Sequence, residues 1–411
     1  MNKIRALVLV VWISSLSAGS LTLSDALAEA LHRNHGIGLA RLEKDQAAHE
    51  RMRIPGYVLP RLSARGGVEY SRTDGGEEHR GSRAGLYLDW TLFDGFAMFY
   101  SQDLTDMQST QRELRAREAI EETAMEVAAR YYEFLHARTA LSVAEQQLSL
   151  SAEYRDLRAE EYAAGNVPRT DMLTQRVRYN SDKAQYVQAQ QDSLTAHMAL
   201  NIAMGRPPDT VLSVAMDTTL PEVTEPAEYW VSLARENNRA SEIKSLAVQI
   251  RTTEKAIARA RLWPTFSAAT SAVQQGGDNS GGRFTASIQV DMPILDGFSR
   301  RTARYSAATS KERARLEQEE QVQVLTGEVH RIWQEFHTAR QQIAFETEAV
   351  AAAEESLALL SEAFKRGSVD ALALRESQME YITAKMRRES ALYQSRMRSL
   401  QLRQVAGGSF F

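Results

Sequence analysis

Between Val322 and Phe364, apolar or small residues stand at Val322, Leu325, Val329, Ile332, Phe336, Ala339, Ile343, Val350, Ala353, Leu357, Leu360 and Phe364. The spacing alternates between three and four residues, and only Glu346 interrupts it. A seven-residue repeat held for that distance (364 − 322 = 42 residues) predicts a helix that supercoils against other helices. No proline interrupts the chain from Phe298 to Phe364, so the pattern predicts one unbroken helix, roughly 100 Å long at about 1.5 Å per residue. Helices of ordinary globular domains average about 11–12 residues.

A second periodicity appears earlier. Leu62, Ala64, Val68 and Tyr70 alternate with Ser63, Arg65 and Glu69; further on, Leu86, Leu88, Trp90 and Leu92 alternate with Tyr87, Asp89 and Thr91. With the Gly-rich, charged stretch Thr73–Ser82 between them, these runs predict a β-hairpin over about residues 61–94. A helical pattern precedes it from Leu23 to Ile54, started by Ser24 and Asp25 and closed by Pro55 and Pro60. After the hairpin, Asp94–Gly95 turns the chain into a long helix, Phe96–Glu161. The segment 162–170, containing Gly165, Asn166, Val167 and Pro168, stops that helix and starts another, which runs to Met204. Residues 206–226 form an aperiodic linker.

The same series then recurs. Leu92–Phe93–Asp94–Gly95–Phe96 matches Ile294–Leu295–Asp296–Gly297–Phe298 at an offset of 202 (296 − 94). Glu126–Val127, Glu133–Phe134, Arg138, Gly165, Val167, Tyr179 and Lys183 find Glu328–Val329, Glu335–Phe336, Arg340, Gly367, Val369, Tyr381 and Lys385 at the same offset. Pro60 pairs with Pro264 at 204 (264 − 60). The second repeat, 227–405, therefore reads as a helix, a hairpin at about 264–296, a long helix 298–364, a turn at 365–370 and a helix to 405, with a tail at 406–411. In its hairpin Phe284, Ala286, Ile288, Val290, Met292 and Ile294 form the apolar set. The first repeat occupies 20–205.

Composition narrows the setting. The 411 residues include no cysteine, which removes disulfides, thiolate metal sites and the cysteine an N-terminal lipid anchor requires. A net charge of −4 argues against a nucleic-acid binder, and a mean hydropathy of −0.39 against a bundle of apolar membrane helices. Lys3 and Arg5, the apolar run Ala6–Ile13 and the small residues through Gly19 read as an export signal over 1–19. The overall class is mainly α with a small β part.

Four strands with one apolar and one polar face suit a membrane-spanning barrel, but the smallest such barrels need about eight strands. Open edges in lipid cost several kcal/mol per unpaired group, so spanning strands require several copies of the chain. Trp90, Tyr87, Tyr70 and Trp263 are candidates for a membrane–water girdle. The alternative is a non-pore periplasmic coiled-coil scaffold or adaptor whose sheet caps a helical bundle.

The order of elements, the duplicated Asp–Gly–Phe turns, Pro60 and Pro264 at strand entry, and the turns at Gly165 and Gly367 resemble the TolC family of outer-membrane efflux and secretion channels, from Leu23 to about Val405. The resemblance implies a homotrimer in the outer membrane of a Gram-negative bacterium. Twelve strands would form one barrel, and long antiparallel coiled-coil helices an α-barrel through the periplasm. It also implies that the helices from Leu23 and Ala227 stack end to end on those from Thr170 and Asp370. The implied function is passive exit duct of a tripartite efflux pump or type I secretion system, with a periplasmic adaptor (membrane fusion protein) and, through it, an inner-membrane transporter as partners.

The family's gate and adaptor-docking tip maps to Gly165, Asn166, Val167, Asp171, Gly367, Ser368, Val369, Asp370 and Glu376. The family pattern sets an aspartate shortly after each glycine turn. Asp171 matches, whereas the second position is Ala373, so an acidic ring would draw on Glu376 or Asp370. Val369 stands where the family member best known for gating carries a latch arginine, so that latch is not carried over; Arg169, Lys365, Arg366 and Arg375 lie nearby. Helix capping is the alternative role for Asp171 and Asp370. Pro60, Asp94, Gly95, Pro264, Asp296 and Gly297 mark the barrel–tunnel turns. His32 with His35 and His330 with His337 lack a third ligand, so no metal site is expected. No phosphate loop or nucleophile elbow appears, so neither cofactor nor enzymatic activity is expected.

Overall fold

The computed structural model describes residues 20–51, 59–72, 78–215, 220–277 and 280–408. The expected export signal lies outside these residues, as do 73–77 of the first hairpin loop and 409–411 of the tail. The elements, in chain order, are α1 (Leu23–Arg33), α2 (His35–Arg51), β1 (Arg61–Arg72), β2 (Glu78–Phe93), α3 (Ala97–Ala163) and α4 (Arg169–Met204). The second repeat follows with α5 (Ala227–Asn237), α6 (Arg239–Ala260), β3 (Thr265–Gly277), β4 (Gly281–Asp291), α7 (Ser299–Lys365) and α8 (Ala371–Val405).

The heptad pattern becomes a rod. Helices α3 and α7 each run for 67 residues, about 100 Å, and fold back on α4 and α8 as two antiparallel hairpins. On α7, Leu325, Val329, Ile332, Phe336, Ala339, Ile343 and Val350 are buried, whereas Ala353, Leu357, Leu360 and Phe364 are only half-buried. The core is therefore tightest at mid-rod, where Val329 and Phe336 meet Trp230 and Leu402 in one cluster, while Val127, Tyr131, Leu200 and Met204 form its counterpart in the first repeat. Glu346, which interrupts the heptads, forms an ion pair with Arg387 of α8 at 3.2 Å.

The first helical segment of each repeat departs from expectation by breaking in two, at Asn34 and at Asn238. Each asparagine starts the second piece: Asn34 Oδ1 accepts from the Ile37 N–H (3.2 Å) and Asn238 Oδ1 from the Ser241 N–H (3.0 Å). Each side-chain amide then donates to the carboxyl end of another helix, Asn34 to Ala203 O (2.8 Å) and Asn238 to Val405 O (3.0 Å). The end-to-end joints are thus α2 on α4 and α6 on α8, with α1 and α5 packed alongside.

In the linker, the Thr210 N–H closes a turn on Pro207 O at 3.2 Å, and Val214 pairs with Leu21 in a parallel bridge. Arg138 donates to Val214 O at 3.1 Å; its repeat counterpart Arg340 donates to Pro221 O at 2.9 Å. The four strands form one antiparallel sheet in the order β1-β2-β3-β4. Leu62, Ala64, Val68 and Tyr70 lie opposite Leu88, Leu86, Ser82 and Arg80. Leu86, Leu88 and Trp90 lie opposite Ala272, Thr270 and Ala268, which face Phe284, Ala286 and Ile288. One face is thus predominantly apolar. The other carries Ser63, Arg65, Tyr87, Asp89, Ser271, Thr285 and Ser287. Tyr87 is therefore on the polar face and not in an outer girdle. Strand β4 ends at Asp291, before Met292 and Ile294, because Pro293 has no N–H to give the ladder. Among the described residues no helix is long and apolar enough to cross a membrane.

The α2–α4 joint leaves no room for a side chain at Gly205, which has φ +77° and whose added Cβ would stand 2.4 Å from Arg33 O. Gly205→Ala is expected to cost upwards of about 2 kcal/mol, visible as a lowered melting temperature of the detergent-extracted protein. Unchanged melting would show that the joint is not closely packed.

Candidate functional site

The ends of the two helical hairpins are built alike. Gly165 (φ +78°) and Gly367 (φ +73°) adopt the left-handed conformation that ends a helix with a reversal. The Gly165 N–H donates to Tyr162 O (3.0 Å) and the Asn166 N–H to Glu161 O (2.9 Å); in the second turn Gly367 donates to Phe364 O (2.9 Å) and Ser368 to Ala363 O (3.0 Å). Val167 and Val369 are half-buried, while Asn166 and Ser368 are exposed. After the turns the repeats diverge. Asp370 caps α8, its carboxylate accepting from the Ala373 N–H at 2.9 Å. In the first repeat Pro168 occupies the cap position and Asp171 lies in the first turn of α4, exposed. Glu376 is exposed on α8. Asp370 is thus committed to backbone N–H groups, whereas Asp171 and Glu376 are free of ion pairs among the described residues.

Behind the tip lies a polar layer that sequence reading did not single out. Asp182 of α4 is 3% exposed and accepts both oxygens' worth of bonding from Arg375 Nη2 of α8, at 2.9 Å each. Ser151 and Gln147 of α3 also donate to Asp182 Oδ2, Gln147 from Nε2 at 3.2 Å. Three helices are tied at one buried carboxylate. Nearby, Gln378 Nε2 donates to the Tyr154 hydroxyl at 3.4 Å, and the Tyr154 ring meets Phe364 edge-on at 5.7 Å. Burial raises the Tyr154 hydroxyl above its ordinary pKa, partly offset by Gln378. The signal for this layer was in the duplication: at 202 residues further on, Gln147, Ser151 and Asp182 correspond to Ala349, Ala353 and Ala384. Arg375 in turn corresponds to Leu173. Polar groups where the other repeat has alanine mark a built contact.

At the opposite end, both Asp–Gly–Phe turns redirect a strand into a long helix. Gly95 (φ +71°) and Phe96 (φ +70°) are both left-handed, as are Gly297 (φ +63°) and Phe298 (φ +66°). Asp94 Oδ1 accepts from the Met98 N–H (3.1 Å), and Asp296 Oδ2 from the Arg300 N–H (3.2 Å). Pro60 and Pro264 directly precede β1 and β3. The surroundings differ sharply. Gly95 is buried, and an added Cβ would meet Ala260 O at 2.3 Å and Trp263 Cβ at 2.9 Å. Gly297 has nothing within 4 Å, and residues 281–299 are exposed throughout.

The family described as outer membrane efflux protein matches residues 26–206 and 230–408, the two repeats. Protein CyaE of Bordetella pertussis is 25% identical over 294 residues, covering 68% of this chain and 62% of CyaE, less than two thirds of its length. The proteases secretion protein PrtF of Dickeya chrysanthemi is 24% identical over an alignment of 428 positions, 98% of this chain and 92% of PrtF. In fold, the chain is similar to the outer membrane channel CmeC of Campylobacter jejuni, with a TM-score of 0.85 and 14% identity over 94% of this chain and 85% of CmeC.

Removing Arg375 would strand the Asp182 carboxylate in the rod. Arg375→Ala is expected to cost about 3–5 kcal/mol locally, and Arg375→Met with Asp182→Leu to restore most of it. Hydrogen exchange of segments 147–155 and 375–382 reads the change; equal protection in the single variant and the parent would show that the pair does not hold these helices.

Proposed function

The chain belongs to the outer membrane efflux protein family, and on that premise we propose that three copies assemble into one continuous passive duct across the outer membrane and periplasm. The observation that carries the assembly is the contrast between the two Asp–Gly–Phe turns. The β2–α3 turn is enclosed because β2 pairs with β3 and α6 ends against Gly95. By the internal repeat, the β4–α7 turn calls for the same neighbours, namely a β1 strand and the end of an α2 helix. This chain's own β1 is already at the far edge of the sheet, so a second copy supplies them. Exposed Ile294, Leu295 and Phe298 are the apolar surface such a copy would cover. Three copies make twelve strands (3 × 4), the number the TolC resemblance implies.

The apolar sheet face fits lipid: Val68, Phe284 and Ile288 are 89%, 72% and 75% exposed, a large cost in water at about 25 cal/mol per Å². The helical hairpins reach on the order of 100 Å from the sheet, enough to carry the duct into the periplasm. We assign the tip around Gly165, Asn166, Val167, Gly367, Ser368 and Val369 to docking of a periplasmic adaptor, which links the duct to an inner-membrane transporter that supplies energy. Asp171 and Glu376 are the acids available for a tip ring, while the Arg375–Asp182 pair holds the hairpins closed. No catalytic step is assigned to the chain. Its likeness to PrtF, named for protease secretion, favours a polypeptide cargo over a small drug. The scaffold alternative finds no use for an apolar sheet face this exposed.

Two experiments test the reading. Gly297→Val is expected to abolish the heat-resistant oligomer while leaving Gly95 packing intact, because the enclosed neighbour belongs to another copy; a variant that assembles like the parent would exclude this interface. In planar bilayers the purified oligomer is expected to conduct, and millimolar divalent cations to block it through the tip acids. Asp171→Ala with Glu376→Ala should relieve that block, and block persisting in the double variant would remove the acidic ring.

A further inference from the structure

The polar face of the sheet is not uniformly charged. Strand register places Arg65 opposite Gly85, Gly85 opposite Val273, and Val273 opposite Arg283. The two arginines thus terminate one lateral row of the sheet, about 14 Å apart across three inter-strand steps of roughly 4.8 Å. The neighbouring row on this face towards the hairpin loops is Gly67, Arg83, Gln275 and Gly281; the one towards the helices is Ser63, Tyr87, Ser271 and Thr285. Three successive rows of four positions therefore hold three arginines and no carboxylate.

The arginines differ in what they touch. Arg83 is tied to Glu69, one row further out, at 3.2 Å. The Arg65 guanidinium lies over the Tyr87 ring, 4.7 Å from its centroid. This contact keeps the full charge and orients it. Neither Arg65 nor Arg283 has a carboxylate within ion-pair distance among the described residues, and both are exposed. Solvation of the face does not require them, since Ser271, Thr285, Ser287 and Gln289 serve that purpose elsewhere on it. Gly67 and Gly281, in the next row, have nothing within 4 Å of where a Cβ would stand.

We infer that Arg65 and Arg283 form a cationic belt inside the barrel that receives the carboxylates of an acidic polypeptide on its way out. The inference rests on the assembled duct proposed above, in which the polar face lines the lumen. Three copies bring six such arginines (3 × 2) around one aqueous passage. Strand tilt in a closed barrel spreads each row over several ångströms of height, so the charges make a belt and not a flat ring. Low-dielectric walls focus their field into the lumen and raise the local concentration of anionic groups. Guanidinium binds carboxylate in a two-pronged geometry, but a cargo passing many arginines in turn is held by none of them for long. The belt thus favours entry of acidic segments from the helical tunnel and hinders basic ones.

The test uses the full-chain oligomer in planar bilayers, with an oligomer of poly-L-glutamate added on the side of the hairpin loops. Micromolar poly-L-glutamate is expected to reduce the current of the parent protein. Arg65→Gln with Arg283→Gln should need roughly tenfold more or beyond for equal block, and Arg65→Lys with Arg283→Lys should retain it. Under a KCl gradient the reversal potential of the glutamine variant should shift towards cation preference. Assembly of each variant is read from its heat-resistant oligomer, and the single Arg283→Gln variant serves if the double one does not assemble. Equal block of parent and glutamine variant, or block by inorganic phosphate alone with none by the polypeptide, would overturn the belt while leaving the duct standing. A parent protein that assembles but never conducts would overturn the duct and the belt with it.

Discussion

A four-stranded antiparallel sheet has two open edges, and the edges of this one, on β1 and β4, adjoin an apolar face. Backbone N–H and C=O groups that lack partners cost several kcal/mol each in a hydrocarbon environment, and in water the exposed Leu, Val and Phe side chains of the same face have nothing to bury against. Neither solvent accepts the single sheet. In the proposed assembly the condition would be relieved by pairing β4 of one copy with β1 of the next, and closure would then remove every edge. The run from 281 to 299, exposed throughout, is the surface the proposed neighbour would cover.

The helical part answers to a related constraint. A rod about 100 Å long cannot bury itself by folding into a ball, so it must be built from side-by-side and end-to-end contacts. Side-by-side packing sets α3 against α4 and the heptad face of α7 against α8. End-to-end packing uses asparagine amides to satisfy the last carbonyls of α4 and α8. Glycines at 205 and 407 let the abutting backbones approach, each with an added Cβ only 2.4 Å from a facing carbonyl. The two joints are the same solution used twice.

Differences between the repeats carry the functional content. At the tip, one repeat supplies the polar groups Gln147, Ser151 and Asp182, while the other supplies Arg375 to neutralise them. Such a layer gives little net stability over a packed apolar one, yet it fixes which helices meet and at what height. In the sheet, β1 and β4 supply Arg65 and Arg283, whereas Arg83 of β2 is tied to Glu69. The asymmetry of a duplicated chain is where its two halves take up separate tasks.

Much of this was legible along the chain. Periodicity of three and four residues specified the rods, alternation specified the strands, and the constant offset of 202 specified the duplication. Each follows from local geometry: side-chain direction repeats with the backbone, and water selects which direction is apolar. The glycine turns were legible because positive φ is costly for other residues. Tertiary structure alone decided the rest. The pairing of β2 with β3 joins strands separated by four helices, and no local pattern encodes a partner that distant. The breaks at Asn34 and Asn238 look like mid-helix residues until the carbonyls of Ala203 and Val405 are placed beside them. Gly95 and Gly297 share one motif, but only the packed chain distinguishes the enclosed turn from the open one. Asp182 reads as one more helical acid until α8 brings Arg375 to it, because burial and partnership are properties of the assembled rod.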